Sequence, residues 1–185
     1  MVGAFNPKSR TTLVVGKPRQ PGHFIALTSN GRIDAVLAQG GVRLADVLEK
    51  RAAINVNDAL RGSYDGSGPP TPAPTIKSID PYEITIAMPA QDGDPAVSAA
   101  EHEAWVKWRL SYDVTLEAPP FKVTGILLLL PSQEPFMLAE RGAEYFVAVF
   151  SPTVEVDGVT LTDTRRDAIL VNRSRLRRIS ATLKC

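Results

Sequence analysis

The chain has 185 residues, 44% of them hydrophobic, with 21 Lys and Arg against 20 Asp and Glu. That is enough apolar material for one packed domain or two small ones, and a formal net charge of +1 excludes a global electrostatic pull toward nucleic acid or an anionic membrane. The charge is unevenly spread: residues 1–22 hold Lys8, Arg10, Lys17 and Arg19 and no acid, residues 159–185 hold seven basic and two acidic residues, and the middle holds ten basic against eighteen acidic. A basic start and finish around an acidic middle suggests that the ends pack on the acidic body or on an acidic partner.

Cys185 is the single cysteine, so no intrachain disulfide framework forms, and a reducing compartment is the simpler assumption. The first twenty residues have no apolar core of signal-peptide length, and the longest apolar run, 123–130, is far shorter than the roughly 20 residues that span a bilayer. The expectation is a cytoplasmic protein without a membrane span.

In chain order, 1–10 reads as a loose arm and 11–15 as a short strand. Residues 24–37 hold Asn30-Gly31 between two strand-like arms, a type I′ hairpin signal because that pair tolerates positive φ. Residues 43–51 place Leu44, Val47 and Leu48 on one helical face. Alternation returns at 54–60 as a strand. Residues 62–74 are so rich in Gly, Pro and Ser that no regular element is expected there. Residues 75–88 read as two short strands around an Asp80-Pro81 turn. Ser98 and Glu101 have capping-box spacing ahead of one or two helical turns.

The segment 106–130 organises the rest. Val106, Trp108, Leu110, Tyr112, Val114 and Leu116 alternate with polar residues, the two-residue period of a half-buried strand, and a turn at Pro119-Pro120 leads into a second apolar strand. Trp108 and Tyr112 are then expected in the core, with Trp108→Ala costing about 3 to 5 kcal/mol. A short helix within 131–142, a strand at 145–150, an Asp157-Gly158 hairpin and strands at 168–171 and 176–179 complete the chain.

The two halves carry the same order of signals: hairpin, short helix, strand and terminal strand pair. This implies a diverged tandem repeat of roughly 65 to 75 residues, with 11–88 the first copy, 62–74 a long loop inside it, 89–104 the linker and 105–185 the second copy. The expected fold is mainly β with minor α: two tandem small β-barrel or rolled-sheet units with short helices. Asn30-Gly31-Arg32 with Leu37 resembles the first signature of Sm-like barrels, and 169–179 is similar to the closing strand pair of that family and of SH3-like barrels. Neither half has the family's leading helix in a clear form, each has residues inserted between its second and third strands, and no functional residue is carried over.

Motifs for chemistry are sparse. Glu101-His102-Glu103 puts three ligand types on successive helical positions about 100° apart, which cannot readily share one ion. Asp92-Gly93-Asp94 lacks the remaining ligands of a calcium loop. There is no nucleophile elbow, phosphate loop or dinucleotide fingerprint. No cofactor or metal is expected, and an enzyme is disfavoured. The one constellation with a functional reading is basic: Arg165, Arg166, Arg173, Arg175, Arg177 and Arg178, with Lys184, a set able to grip phosphates or an acidic partner. The expected function is a non-catalytic adaptor, assembly or regulatory module acting through protein contacts or self-association. The alternative is a nucleic-acid-binding protein using those arginines, and an enzyme with a site between the repeats comes third.

Overall fold

The computed structural model describes residues 22–65, 67–89, 99–140, 145–161 and 167–184. The arm at 1–10, the strand expected at 11–15, Asp92-Gly93-Asp94, Ser98, Arg165, Arg166 and Cys185 lie outside the described residues.

Strands β1 (His23–Thr28) and β2 (Gly31–Leu37) form the first hairpin. Its two loop residues are Ser29 and Asn30; the positive φ, 133°, sits on Gly31 alone, so the turn lies one residue earlier than the type I′ placement. Thr28 explains the shift, because its hydroxyl accepts from the Asn30 amide at 3.1 Å and donates to the Gly31 carbonyl at 3.0 Å, closing the turn from the side chain. Helix α1 (Leu44–Glu49) follows, burying Leu44 and Leu48 as its spacing predicts.

Next comes β3 (Ile54–Gly62), against which both β4 (Thr71–Pro72) and β5 (Ser78–Ile79) pair. The 62–74 stretch therefore does contain regular structure. Its Ala73 is buried, with its amide on the Ala59 carbonyl, and Tyr64 meets the Phe121 ring edge-on at 5.1 Å while donating to the Thr28 carbonyl at 2.7 Å. A 3₁₀ turn at Pro81–Glu83, capped by the Asp80 carboxylate on the Tyr82 amide, leads into β6 (Ile84–Pro89).

Alternation misleads at the next element. Helix α2 (Ala99–Trp108) takes in Val106 and Trp108, and the strand β7 (Leu110–Ala118) starts only at Leu110. The residues ahead of it, Ala99, Ala100, Glu101, Glu103, Ala104 and Lys107, are strong helix formers, and their summed preference extends over Val106 and Trp108. Trp108 is 71% exposed, not core. From Leu110 the strand reading holds: β7 pairs in unbroken register with β8 (Phe121–Leu129) across a cis Pro119-Pro120 bond.

Helix α3 (Met137–Glu140) precedes β9 (Phe146–Val156), which turns at Asp157-Gly158 into β10 (Val159–Thr160). Here φ is 50° at Asp157 and 80° at Gly158, the two positive angles that a type I′ turn requires. Then come β11 (Ala168–Asn172), a 3₁₀ turn at Arg173–Arg175 capped by the Asn172 side chain on the Ser174 amide, and β12 (Arg178–Leu183).

The protein is mainly β, a large open sheet of twelve strands paired antiparallel in the order β12-β7-β8-β9-β11-β6-β1-β2-β3-β4, with β10 on β9 and β5 on β3. Its central strands are buried on both faces. Phe24 and Ala26 of β1, with Leu170 of β11, belong to one core, together with β2, β3 and α1. Ile25 and Leu27, with Ile169 and Val171, belong to the other, together with β7 and most of β8. The two ends of the sheet therefore pack on opposite faces of its centre, which is why β11 reads as an almost wholly apolar run and β6 buries every residue, Thr85 included.

Candidate interaction surface

Of the arginine cluster, the described members Arg173, Arg175, Arg177 and Arg178 differ in burial and in partners. Arg173 is buried, and its Nε donates to the Leu138 carbonyl at 2.6 Å while its amide donates to Tyr145. Arg175 reaches across the sheet to the Tyr82 carbonyl, with its Nε at 3.1 Å. Both guanidinium groups thus hold carbonyl oxygens at the ends of other elements, where charge-assisted hydrogen bonds satisfy acceptors that secondary structure leaves open. Arg177 and Arg178 are exposed at the start of β12, with Arg178 at 3.8 Å from Glu117. At the other end of the strand Lys184 lies 3.6 Å from Asp113. Arg173 is thus turned inward, whereas Arg175, Arg177 and Arg178 are exposed, Arg175 with its guanidinium on a carbonyl.

Sequence reasoning missed the strand that carries these cations as a surface in itself. Register pairs Ile179 with Leu116, Ala181 with Val114 and Leu183 with Tyr112, so these three side chains share the face of the second core. The opposite face carries Arg178, Ser180, Thr182 and Lys184. The Lys184 amide donates to Ser111, so antiparallel alternation turns the amides of Thr182 and Ser180 toward β7 and those of Ile179, Ala181 and Leu183 outward. Among the described residues no strand pairs with that outer side. The strand expected at 176–179 overlaps only the start of β12; neither its run to Leu183 nor its place at the end of the sheet was legible.

Apolar exposure continues beside it. Leu183 is 49% exposed and neighbours Tyr112, whose strand begins at the exposed Leu110. Two residues earlier the Lys107 ammonium sits 5.5 Å from the centre of the Trp108 ring.

The hollows of the molecule offer little chemistry. One of about 400 Å³ is lined by Leu37, Val42, Val47 and Ile54 with Lys50 as its ionisable group. Another of about 390 Å³ lies at the Pro119-Pro120 turn beside Glu117, Lys122, Glu155 and Asp157, where Lys122 and Glu155 are 3.6 Å apart. Among the described residues no three His, Cys, Asp or Glu side chains are grouped as metal ligands, and no helix is long and apolar enough to cross a membrane. The Asp65 carboxyl is lowered to about 2 by the Ser67 amide and then by the Ser67 and Ser63 hydroxyls, the signature of a turn.

The site is therefore a sheet edge with a basic and an apolar face. No protein-family model, curated protein or solved structure matches the chain.

Proposed function

We propose that the chain is a non-catalytic adaptor or assembly module, made of two similar small β-rich units, that works through protein contacts. The two units are the β1 to β6 segment and the β7 to β12 segment. In the first the strands run β6-β1-β2-β3 with β5 on the outside of β3; in the second they run β12-β7-β8-β9-β11. Each has a helix between its second and third strands, and each closes with a side-chain-capped 3₁₀ turn before the strand that returns to the first. Order, helix position and capped turn agree, which supports a tandem repeat more strongly than matching residues do.

The observation that carries the functional reading is the joint between the units. The closing strand of the first, β6, pairs along its outer edge with β11 of the second, through Leu170 with Ala87 and Val171 with Ile86. These units thus associate edge to edge through backbone hydrogen bonds, and among the described residues no strand covers the corresponding edge of β12, the closing strand of the second. Burial of Arg173 weighs against the nucleic-acid reading, since its guanidinium is turned inward to the Leu138 carbonyl and away from any surface phosphate.

The test is affinity purification of the tagged full chain from its own host at native abundance, with and without nuclease. A nuclease-resistant protein partner in near-stoichiometric amount is the expected result. A nuclease-sensitive complex, or salt-sensitive micromolar binding to a mixed oligonucleotide at about 50 mM salt, would overturn it.

A further inference from the structure

We propose that the outer edge of β12 captures an extended segment of a partner protein, acidic on one face and apolar on the other, which adds to the sheet as a further strand. This rests on the adaptor reading and names the surface and chemistry by which it works.

Three observations point the same way. The outward amides and carbonyls of Ile179, Ala181 and Leu183 form a backbone template about six residues long, the arrangement that receives an added strand. Within the chain, the corresponding edge of β6 is already filled by a strand, β11. The two faces of β12 then set the composition of the guest. Ile179, Ala181 and Leu183 extend the apolar face of the second core and favour apolar residues beside them. On the other face Arg178 and Lys184 stand next to Glu117 and Asp113, so an acidic residue on the far side of each cation completes a row of alternating charge across three strands.

The same features disfavour a second copy of the chain. Antiparallel pairing of β12 with itself, centred on Ala181, sets Arg178 opposite Lys184, like charge against like. The far edge of the sheet runs through β4 and β5, and in β4 Pro72 has no amide to donate. β4 is protected by proline, whereas β12 carries none.

The experiment uses the full chain and a fluorescein-labelled eight-residue peptide of alternating Val and Glu, with an alternating Val and Lys peptide as control. The Val-Glu peptide is expected to bind and the Val-Lys peptide to bind at least about tenfold more weakly. Ala181→Pro removes an amide that faces away from β7, so it leaves the β7 ladder intact and is expected to weaken Val-Glu binding at least about tenfold with an unchanged melt. A double variant, Arg178→Glu with Lys184→Glu, keeps the edge and is expected to reverse the preference between the peptides, which tests the site independently of the proline. Undiminished binding to Ala181→Pro with no reversal in the double variant would place the contact elsewhere. A dimer in sedimentation that Ala181→Pro abolishes and the Val-Glu peptide does not displace would give the edge to a second copy. No binding of either peptide up to about 1 mM would overturn the strand-addition proposal while leaving the adaptor reading to its own purification test.

Discussion

The Asn172 side chain donates to the Ile84 carbonyl at 2.8 Å, and in doing so ties the end of β11 to the start of β6, 88 residues earlier. The same amide reaches the Pro81 carbonyl at 3.3 Å, and its oxygen accepts from the amide and the hydroxyl of Ser174 at 2.9 and 2.7 Å. Asn172 is fully buried with both ends satisfied, which makes it a lock between the two segments of the sheet. Replacing it with leucine, which has the same branched shape, removes the bonds to the Ile84 carbonyl and the Ser174 amide, while the Pro81 carbonyl keeps the Ile84 amide. Asn172→Leu is expected to cost about 2 to 4 kcal/mol in urea denaturation, whereas loss of less than about 1 kcal/mol would mean that water replaces the lock.

Gly125 allows β8 and β9 to approach where their register shifts between Thr124 and Ile126. A Cβ there would lie 2.6 Å from Val149 Cγ1 and 2.7 Å from the Phe150 carbonyl oxygen, and the latter is backbone that cannot swing aside. Gly125→Ala is expected to destabilise by about 1 to 3 kcal/mol through overpacking. Gly158→Ala meets nothing within 4 Å and pays only for its positive φ of 80°, so its cost of about 1 kcal/mol serves as the comparison. Equal melting shifts for the two would refute the close approach.

Because Trp108 is exposed, Trp108→Ala is expected to shift stability by less than about 1 kcal/mol, against the 3 to 5 that a core strand position would give. Leu116, fully buried on the same side of the molecule's second core, should cost about 2 to 5 kcal/mol as Leu116→Ala. Denaturant melts of both variants in parallel separate a helix that ends at Trp108 from a strand that includes it.

Tyr64 gives the alkaline edge of stability. Burial is the main cause that holds its phenol above the ordinary value, with the Asp157 carboxylate adding and the Gly31 backbone opposing. The neutral phenol donates to Thr28, and the ionised one has no proton to give. Its contribution is fully present below the unfolded phenol's pKa and is lost as pH rises through the raised folded value. The melting temperature should therefore fall above about pH 10, and Tyr64→Phe should make that fall shallower. A variant whose alkaline melting profile matches the parent would show that other groups set it.

The same residue decides how far the 62–74 stretch can be cut. Deleting 67–69, all exposed, should leave the melt within about 0.5 kcal/mol, because loop length enters closure entropy only logarithmically. Deleting 64–73 removes Tyr64, the β4 pairing and the buried Ala73, and should unfold or strongly destabilise the protein. Equal tolerance of the two deletions would mean that the contacts of this stretch contribute nothing.

By itself the sequence determined the local structure wherever the determining chemistry is local. Asp157-Gly158 enforces its turn through backbone angles, Leu44 and Leu48 place α1 by their spacing, and the β7 to β8 hairpin follows from alternation broken by two prolines. What needed the tertiary structure was everything set by a neighbour distant in sequence. Alternation at Val106 and Trp108 is compatible with a strand, and only the helix-forming run before them and the absence of a core to face made them exposed helix. The arginines of 173–178 are one basic cluster in sequence, but the 3₁₀ turn fans them apart, so that Arg173 satisfies Leu138, Arg175 satisfies Tyr82 and the cations near β12 remain at the surface. The most consequential fact, that β6 has its outer edge covered while among the described residues no strand covers that of β12, has no sequence signature: a strand's hydrogen-bonding partner lies across the sheet, and nothing in its own residues says whether one is there.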